Sequence, residues 1–262
     1  MSRKRNIRLL IAFDGGGYGG WQRQKNCLTI QEVLEKSLGI ITNEPITVTG
    51  AGRTDAGVHA EGMSANFHTS SSIPLPGLLK GLNSMLPPDI RLLDVVDTDP
   101  DFHSRFNARG KTYRYDFFNG PIQAPHERFY RVHVPKVSRL EPINECLELL
   151  LGTHDFSSFE ACGSRDKNIT TGKGAVRTLF EARLEQIGPT PAHFSFFFTG
   201  DGFLRHMVRN MVGTLFEVGK SKLDSRQFAE IMAARDRNLA GPTAPALGLF
   251  LVKVYYDNEE GQ

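Results

Sequence analysis

The sequence predicts an α+β fold in two similar halves, and three observations carry that expectation. Between residues 7 and 96 the hydrophobic periodicity alternates in the order strand, helix, strand, strand, helix, strand. The same order returns between residues 111 and 256 with one helix added. At 262 residues, 40% of them hydrophobic, the chain is long for one domain and comfortable for two. The expected division is 1–105 and 106–262.

The first half opens with a strand over residues 7–13. A helix follows, starting at the capping-box pattern Thr29-Ile30-Gln31-Glu32 and carrying Ile30, Val33, Leu34 and Leu38 at helical spacing. The β-branched run Ile46-Thr47-Val48-Thr49 and the alternating stretch 64–69 read as strands on either side of a loop. Pro74 and Pro76 introduce a leucine-rich helix, and 90–96 is a closing strand. In the second half the strands are expected at 111–118, 175–187, 193–198 and 247–256, and the helices at 142–151, 203–218 and 225–234. This order is the ferredoxin-like split βαβ unit, an antiparallel sheet covered by helices on one face. Two such sheets joined side by side would leave a broad open face suited to a polymer such as RNA. Cover by the long loops, including Gly163 and residues 170–174, is the alternative, and pattern alone leaves both open.

Composition narrows the function classes. Lys and Arg total 31 against 29 Asp and Glu, a formal charge of +2, so any nucleic-acid surface is a local patch. The basic start at residues 2–5 is an ordinary solvated terminus or an RNA-touching arm. The cysteines, Cys27, Cys146 and Cys162, are odd in number and far apart, which argues against a disulfide framework or zinc knuckle and fits a reducing cytoplasm. The apolar residues 9–13 are too few for a signal-peptide core or a membrane span.

The glycine-rich stretch Gly15-Gly16-Gly17-Tyr18-Gly19-Gly20 formally satisfies a dinucleotide-binding fingerprint. No helix opens at its last glycine, however, and the strand ending at Thr49 lacks a terminal acid to hold a ribose, which excludes that reading. A loop presenting Asp14, Tyr18, Trp21, Arg23 and Gln24 to a nucleic acid, or a plain turn, remains. The more informative stretch is Gly52-Arg53-Thr54-Asp55-Ala56-Gly57-Val58-His59-Ala60, which sets a carboxylate, an arginine and an imidazole among small residues between two strands. Taken alone, it reads first as a turn in which Asp55 caps its own backbone, and what overturns that reading comes later in the chain.

Two later stretches offer groups to complete a site. Alternation in Lys111-Thr112-Tyr113-Arg114-Tyr115-Asp116-Phe117 puts Tyr113, Tyr115 and Phe117 on one sheet face, as core or as a platform for a flat base. In 203–215 an apolar stripe of Leu204, Met207, Val208, Met211, Val212 and Leu215 leaves Arg205, His206, Arg209 and Asn210 opposite, as a solvated face or as a source of an arginine for Asp55.

These stretches, in order, resemble the tRNA pseudouridine synthase A family. The Asp55 loop resembles that family's active-site motif. Phe13-Asp14-Gly15 with Tyr18-x-Gly20-Trp21-Gln22, Phe102-His103-x-Arg105-Phe106, Tyr113-Arg114-Tyr115, Gly152-x-His154-Asp155-Phe156, His206-Met207-Val208-Arg209-Asn210 and Gly248-Leu249 follow its pattern nearly end to end. The resemblance implies Asp55 as the catalytic aspartate, Tyr113 as the ring stacked on the target uracil and Arg209 as the partner of the aspartate. It further implies a cytoplasmic homodimer with no cofactor, no metal and no other protein partner, acting on uridines 38 to 40 of the tRNA anticodon stem-loop. Arg53 and His59 are expected to hold the distorted RNA backbone, with a loop-stabilising role equally open to His59. The stretch 161–174 and Arg205 receive no role.

Two other classes compete. A non-catalytic RNA-binding protein on tandem ferredoxin-like units would stack bases on Tyr113 and Tyr115, but it has no use for a carboxylate among phosphates. A hydrolase using Asp55 with His59 or His206 lacks an obvious nucleophile or metal cluster.

Overall fold

Strict alternation in the first strand sorts its side chains: in β1 (Arg5–Phe13), Ile7, Leu9, Ile11 and Phe13 are buried, while Arg8, Leu10 and Ala12 point the other way. In the computed structural model, which describes residues 4–163, 172–188 and 192–257, the chain divides into two compact units, Met1–Arg109 with Phe250–Gln262, and Gly110–Leu249. Residues 2 and 3 of the basic start and 164–171 of the long loop lie outside the described residues.

In the first unit, β1 is followed by α1 (Ile30–Thr42), whose Thr29 side chain accepts from the Glu32 N–H and whose end is the left-handed Asn43. β2 (Thr49–Gly50) is a two-residue remnant of the β-branched run, and β3 (His59–Thr69) starts five residues before the expected alternation. α2 (Leu75–Met85) begins behind Pro74, and β4 (Ile90–Thr98) closes the unit. β1 pairs antiparallel with both β3 and β4, and β2 pairs antiparallel with β3, giving the order β4-β1-β3-β2 of a split βαβ unit.

The second unit holds β5 (Gly110–Phe118), β6 (Val132–His133), α3 (Glu141–Leu150), β7 (Gly152–Asp155), β8 (Val176–Gln186), β9 (His193–Gly200), α4 (Met207–Gly219) and α5 (Ser225–Ala234). Antiparallel pairing runs β5-β9-β8-β7, with β6 parallel to β5. β6 and β7 are additions to the expected order. α5 starts on a complete capping box between Asp224 and Gln227. Under the helices lies an aromatic core in which Phe117 stacks on Phe194 and Phe196 and meets Phe216 edge-on at 5.2 Å.

Two expectations change. β10 (Leu249–Tyr255), assigned to the second half by the 105/106 division, pairs in parallel with β3 through Phe250 and His59, so that from Phe250 onward the chain belongs with the first unit. β-strand pairing is a long-range choice that local periodicity does not encode. α4 begins at Met207, four residues later than expected, because His206 takes a left-handed conformation (φ 62°) in a turn over residues 204–207 closed by the Met207 N–H on the Leu204 carbonyl. Arg205 and His206 are therefore not helical.

Candidate active site

The Asp55 loop has no regular structure between β2 and β3, so its shape comes from what packs on it. The Val58 N–H donates to the Asp55 carbonyl, closing a turn in which Gly57 has φ 78°, the sign that type II turns require of their third residue. Gly20, at φ 96°, lies flat against this loop: a Cβ there would collide with the Thr54 carbonyl and sit 2.9 Å from the Asp55 carbonyl carbon. Gly15 lies equally close to the Val58 carbonyl. The Trp21 N–H donates to the Thr54 carbonyl at 3.2 Å. Ala51, Thr54 and Val58 are buried, whereas Arg53 is exposed and Asp55 is half-buried. The outcome is a loop clamped by backbone contacts that leaves Arg53 exposed and Asp55 half-buried.

The glycine-rich stretch thus supplies the clamp through Gly15 and Gly20, while Gly16 and Gly17 at its tip are exposed. Tyr18 and Trp21, for which the sequence leaves nucleic-acid contact and a plain turn both open, are buried. The Tyr18 hydroxyl donates to Asp89 at 2.7 Å, and burial beside that carboxylate pushes its pKa far up. The Trp21 ring lies against Gly50, where a Cβ would approach within 2.6 Å of ring atoms. Arg23 and Gln24 remain exposed. The close backbone approaches of Gly15 and Gly20 are the feature that the sequence reading missed; the signal was the glycine cluster itself, one sequence segment before a second glycine-bounded loop.

His59 is 2% exposed, which favours the loop-stabilising one of the two roles open to it. It stacks on Phe250 at 4.7 Å, and its Nδ1 is 3.1 Å from the Gly15 nitrogen and 3.0 Å from Asp14 Oδ1. One nitrogen serves one of these at a time, accepting from Gly15 when bare and donating to Asp14 when protonated. Either contact ties the 14–15 backbone to the end of the Asp55 loop.

In the second unit Tyr113 is 8% exposed and packs against Phe203 in a T-shaped pair with ring centres 5.0 Å apart. Tyr115, proposed as a platform by the non-catalytic reading, is fully buried and donates to the Pro245 carbonyl at 2.8 Å, which removes it from any RNA surface. Burial raises its pKa, and the charge of Arg209 opposes that rise. Arg209 is half-buried on the first turn of α4, with Nε donating to the Ala244 carbonyl at 2.8 Å while the Ala244 N–H donates back to the Arg209 carbonyl. Asn210, expected on a polar face, is fully buried: its amide donates to the Phe159 carbonyl, and its oxygen accepts from Arg237 and Thr243. It staples three segments to the helix. Among the described residues no group of three or more His, Cys, Asp or Glu side chains is placed to hold a metal ion.

Comparison with known proteins gives a consistent result. A family model described as tRNA pseudouridine synthase matches residues 10–107 and 147–257. A tRNA pseudouridine synthase A 1 from Desulfotalea psychrophila is 51% identical over 252 residues, covering 96% of this chain and all of the relative. The tRNA pseudouridine synthase A proteins of Acetivibrio thermocellus and Ligilactobacillus salivarius are 42% and 41% identical, each over at least 96% of this chain and 97% of its own length. With a clamped, half-buried aspartate in the first unit and a tyrosine and arginine held in the second, this chain belongs to the tRNA pseudouridine synthase family.

Proposed function

We propose that this synthase isomerises uridine to pseudouridine at positions 38 to 40 of the tRNA anticodon stem-loop, with Asp55 as the catalytic group. The observation that carries this reading is the presentation of Asp55: a carboxylate kept partly open to solvent on a loop whose backbone is held by glycine contacts. Preorganisation of that kind serves a reaction in which the nucleophile or base must meet one atom of a bulky substrate. The glycosidic N1–C1′ bond breaks, the uracil turns, a C5–C1′ bond forms, and the proton leaving C5 is balanced by one gained at N1. Neither an outside atom nor a redox change is involved. Asp55 can add to C1′, add to ring C6 or take a proton from the neighbouring sugar carbon, and all three require it ionised. Arg209 is the group assigned to keep it so, and Tyr113 is assigned to the detached uracil. Arg53, exposed beside Asp55, is assigned to the phosphates next to the extruded nucleotide, whose unstacking costs roughly a few kcal/mol. The reading extends to a cytoplasmic homodimer whose two copies build one basic groove. No described helix is long and apolar enough to cross a membrane.

The test uses tRNA labelled at uridine C5. Wild-type protein is expected to release the label and leave the chain intact, and Asp55→Asn is expected to lose at least about 100-fold in turnover while binding tRNA as before. Release of free uracil or cleaved RNA by the wild type would replace isomerisation by hydrolysis. Label release by Asp55→Asn at the wild-type rate would remove Asp55 from the chemistry.

A further inference from the structure

Phe106 is 75% exposed in a segment that is otherwise tied down. The side chains of Asn6 and Asn66 sit almost fully buried on the β1 and β3 faces opposite the apolar core, and they are spent on the loop that follows β4. The Asn6 amide donates to the carbonyls of Asp99 and Phe102, both at 2.8 Å. The Asn66 oxygen accepts from the Ser104 N–H and hydroxyl, both at 2.9 Å. The Tyr256 hydroxyl donates to the Ser104 carbonyl at 2.7 Å, and the guanidinium of Arg8 lies over the rings of both Phe102 and Tyr256. A buried network with this many satisfied groups makes the loop rigid.

The tip of that loop is built as carefully. His103 N–H donates to the Asn107 side chain, Asn107 N–H returns to the His103 carbonyl, and His103 Nδ1 accepts from the N–H groups of Arg105 and Phe106. The imidazole then lies 4.2 Å from the Phe106 ring at 31°, and the Arg105 guanidinium lies 5.8 Å from the ring centre. Arg105 is exposed and has no carboxylate partner among the described residues. A free phenylalanine in water would fold down onto apolar surface; here the backbone holds the ring out in the company of a cation and an imidazole.

We infer that Phe106 is a stacking platform for an unpaired nucleobase of the tRNA, with Arg105 neutralising the adjoining phosphate. This rests on the tRNA reading above. A flat ring accepts any base by its π-face, and a cation with no carboxylate beside it selects a polyanion over an apolar protein surface. The ring's other candidate occupant is a second copy of this chain, which the sedimentation measurement below distinguishes.

The experiment measures tRNA affinity, C5-label release and urea unfolding together for Phe106→Ala, Phe106→Trp and Arg105→Ala. Phe106→Ala is expected to weaken tRNA binding about tenfold with unchanged unfolding. Phe106→Trp is expected to restore affinity and to add a fluorescence signal quenched by tRNA, against a background of one natural tryptophan, the 2% exposed Trp21. Arg105→Ala should reduce the slope of log affinity against log salt by about one. Wild-type affinity in Phe106→Ala, or a change in the protein's own sedimentation with tRNA binding untouched, would overturn the inference. If the wild type released no label while Phe106→Trp still reported tRNA, the isomerase reading would fail and the platform would stand.

Discussion

The Asp55 loop and helix α4 hold their functional side chains by opposite means. Around Asp55 the chain is irregular, and its position comes from contacts in which glycines admit backbone against backbone, with Gly20 on Thr54 and Asp55 and Gly15 on Val58. On α4 nearly every side chain except Arg209 and Glu217 is buried, and the position of Arg209 follows from a packed helix plus one hydrogen bond to Ala244. The loop is therefore vulnerable to added atoms and the helix to removed ones. Adding a methyl and deleting a ring should separate the two.

Phe216→Ala is the largest expected effect. This α4 ring is 4% exposed and meets Tyr115, Phe117 and Phe196, so its loss should cost ~3–5 kcal/mol in denaturant unfolding. A cost under about 1 kcal/mol would mean that the aromatic core collapses to fill the gap. Gly20→Ala should cost about 1–3 kcal/mol from overpacking and positive φ. Unlike the first substitution, it should lower turnover out of proportion to stability, because the colliding atoms are the backbone of Asp55's own loop. Equal loss of activity in Gly20→Ala and in a core variant of the same stability would break the comparison.

Asn210→Ala leaves the Phe159 carbonyl without its donor inside the second unit and should cost roughly 1–2 kcal/mol. Thermal unfolding with the same midpoint as wild type would show that the staple is redundant with apolar burial. The smallest effect is a pH dependence. Cys146 on α3 is buried, which pushes its thiol from 9.0 up to about 12. Between those values the unfolded chain has lost the proton and the folded chain still binds it, so stability should fall as pH rises above 9. Cys146→Ala should remove that part of the alkaline slope, read from urea midpoints on either side of pH 9. An identical slope in both proteins would place the alkaline sensitivity elsewhere.

Wherever structure depends on neighbours in sequence, the chain alone determined it. The Thr29 cap, the prolines before α2, the bounds of α5 and the alternation of β1 and β5 all act within a few residues, and each element appears where those local signals put it. The succession of motifs likewise determined the family, since side-chain order is covalent. Tertiary structure decided what depends on distant partners. β10 pairs with β3 because strand pairing is settled by long-range packing. His206 turns left-handed where residues 203–206 meet Ala161, whose N–H donates to the Arg205 carbonyl. Tyr18, Trp21 and His59 carry polar groups that look functional in a string of letters, yet Asp89, Thr54 and Gly15 satisfy them or their backbones inside the fold. Phe106 is the converse: a buried amide network more than thirty residues away in sequence fixes its loop, and its apolar ring stands in water.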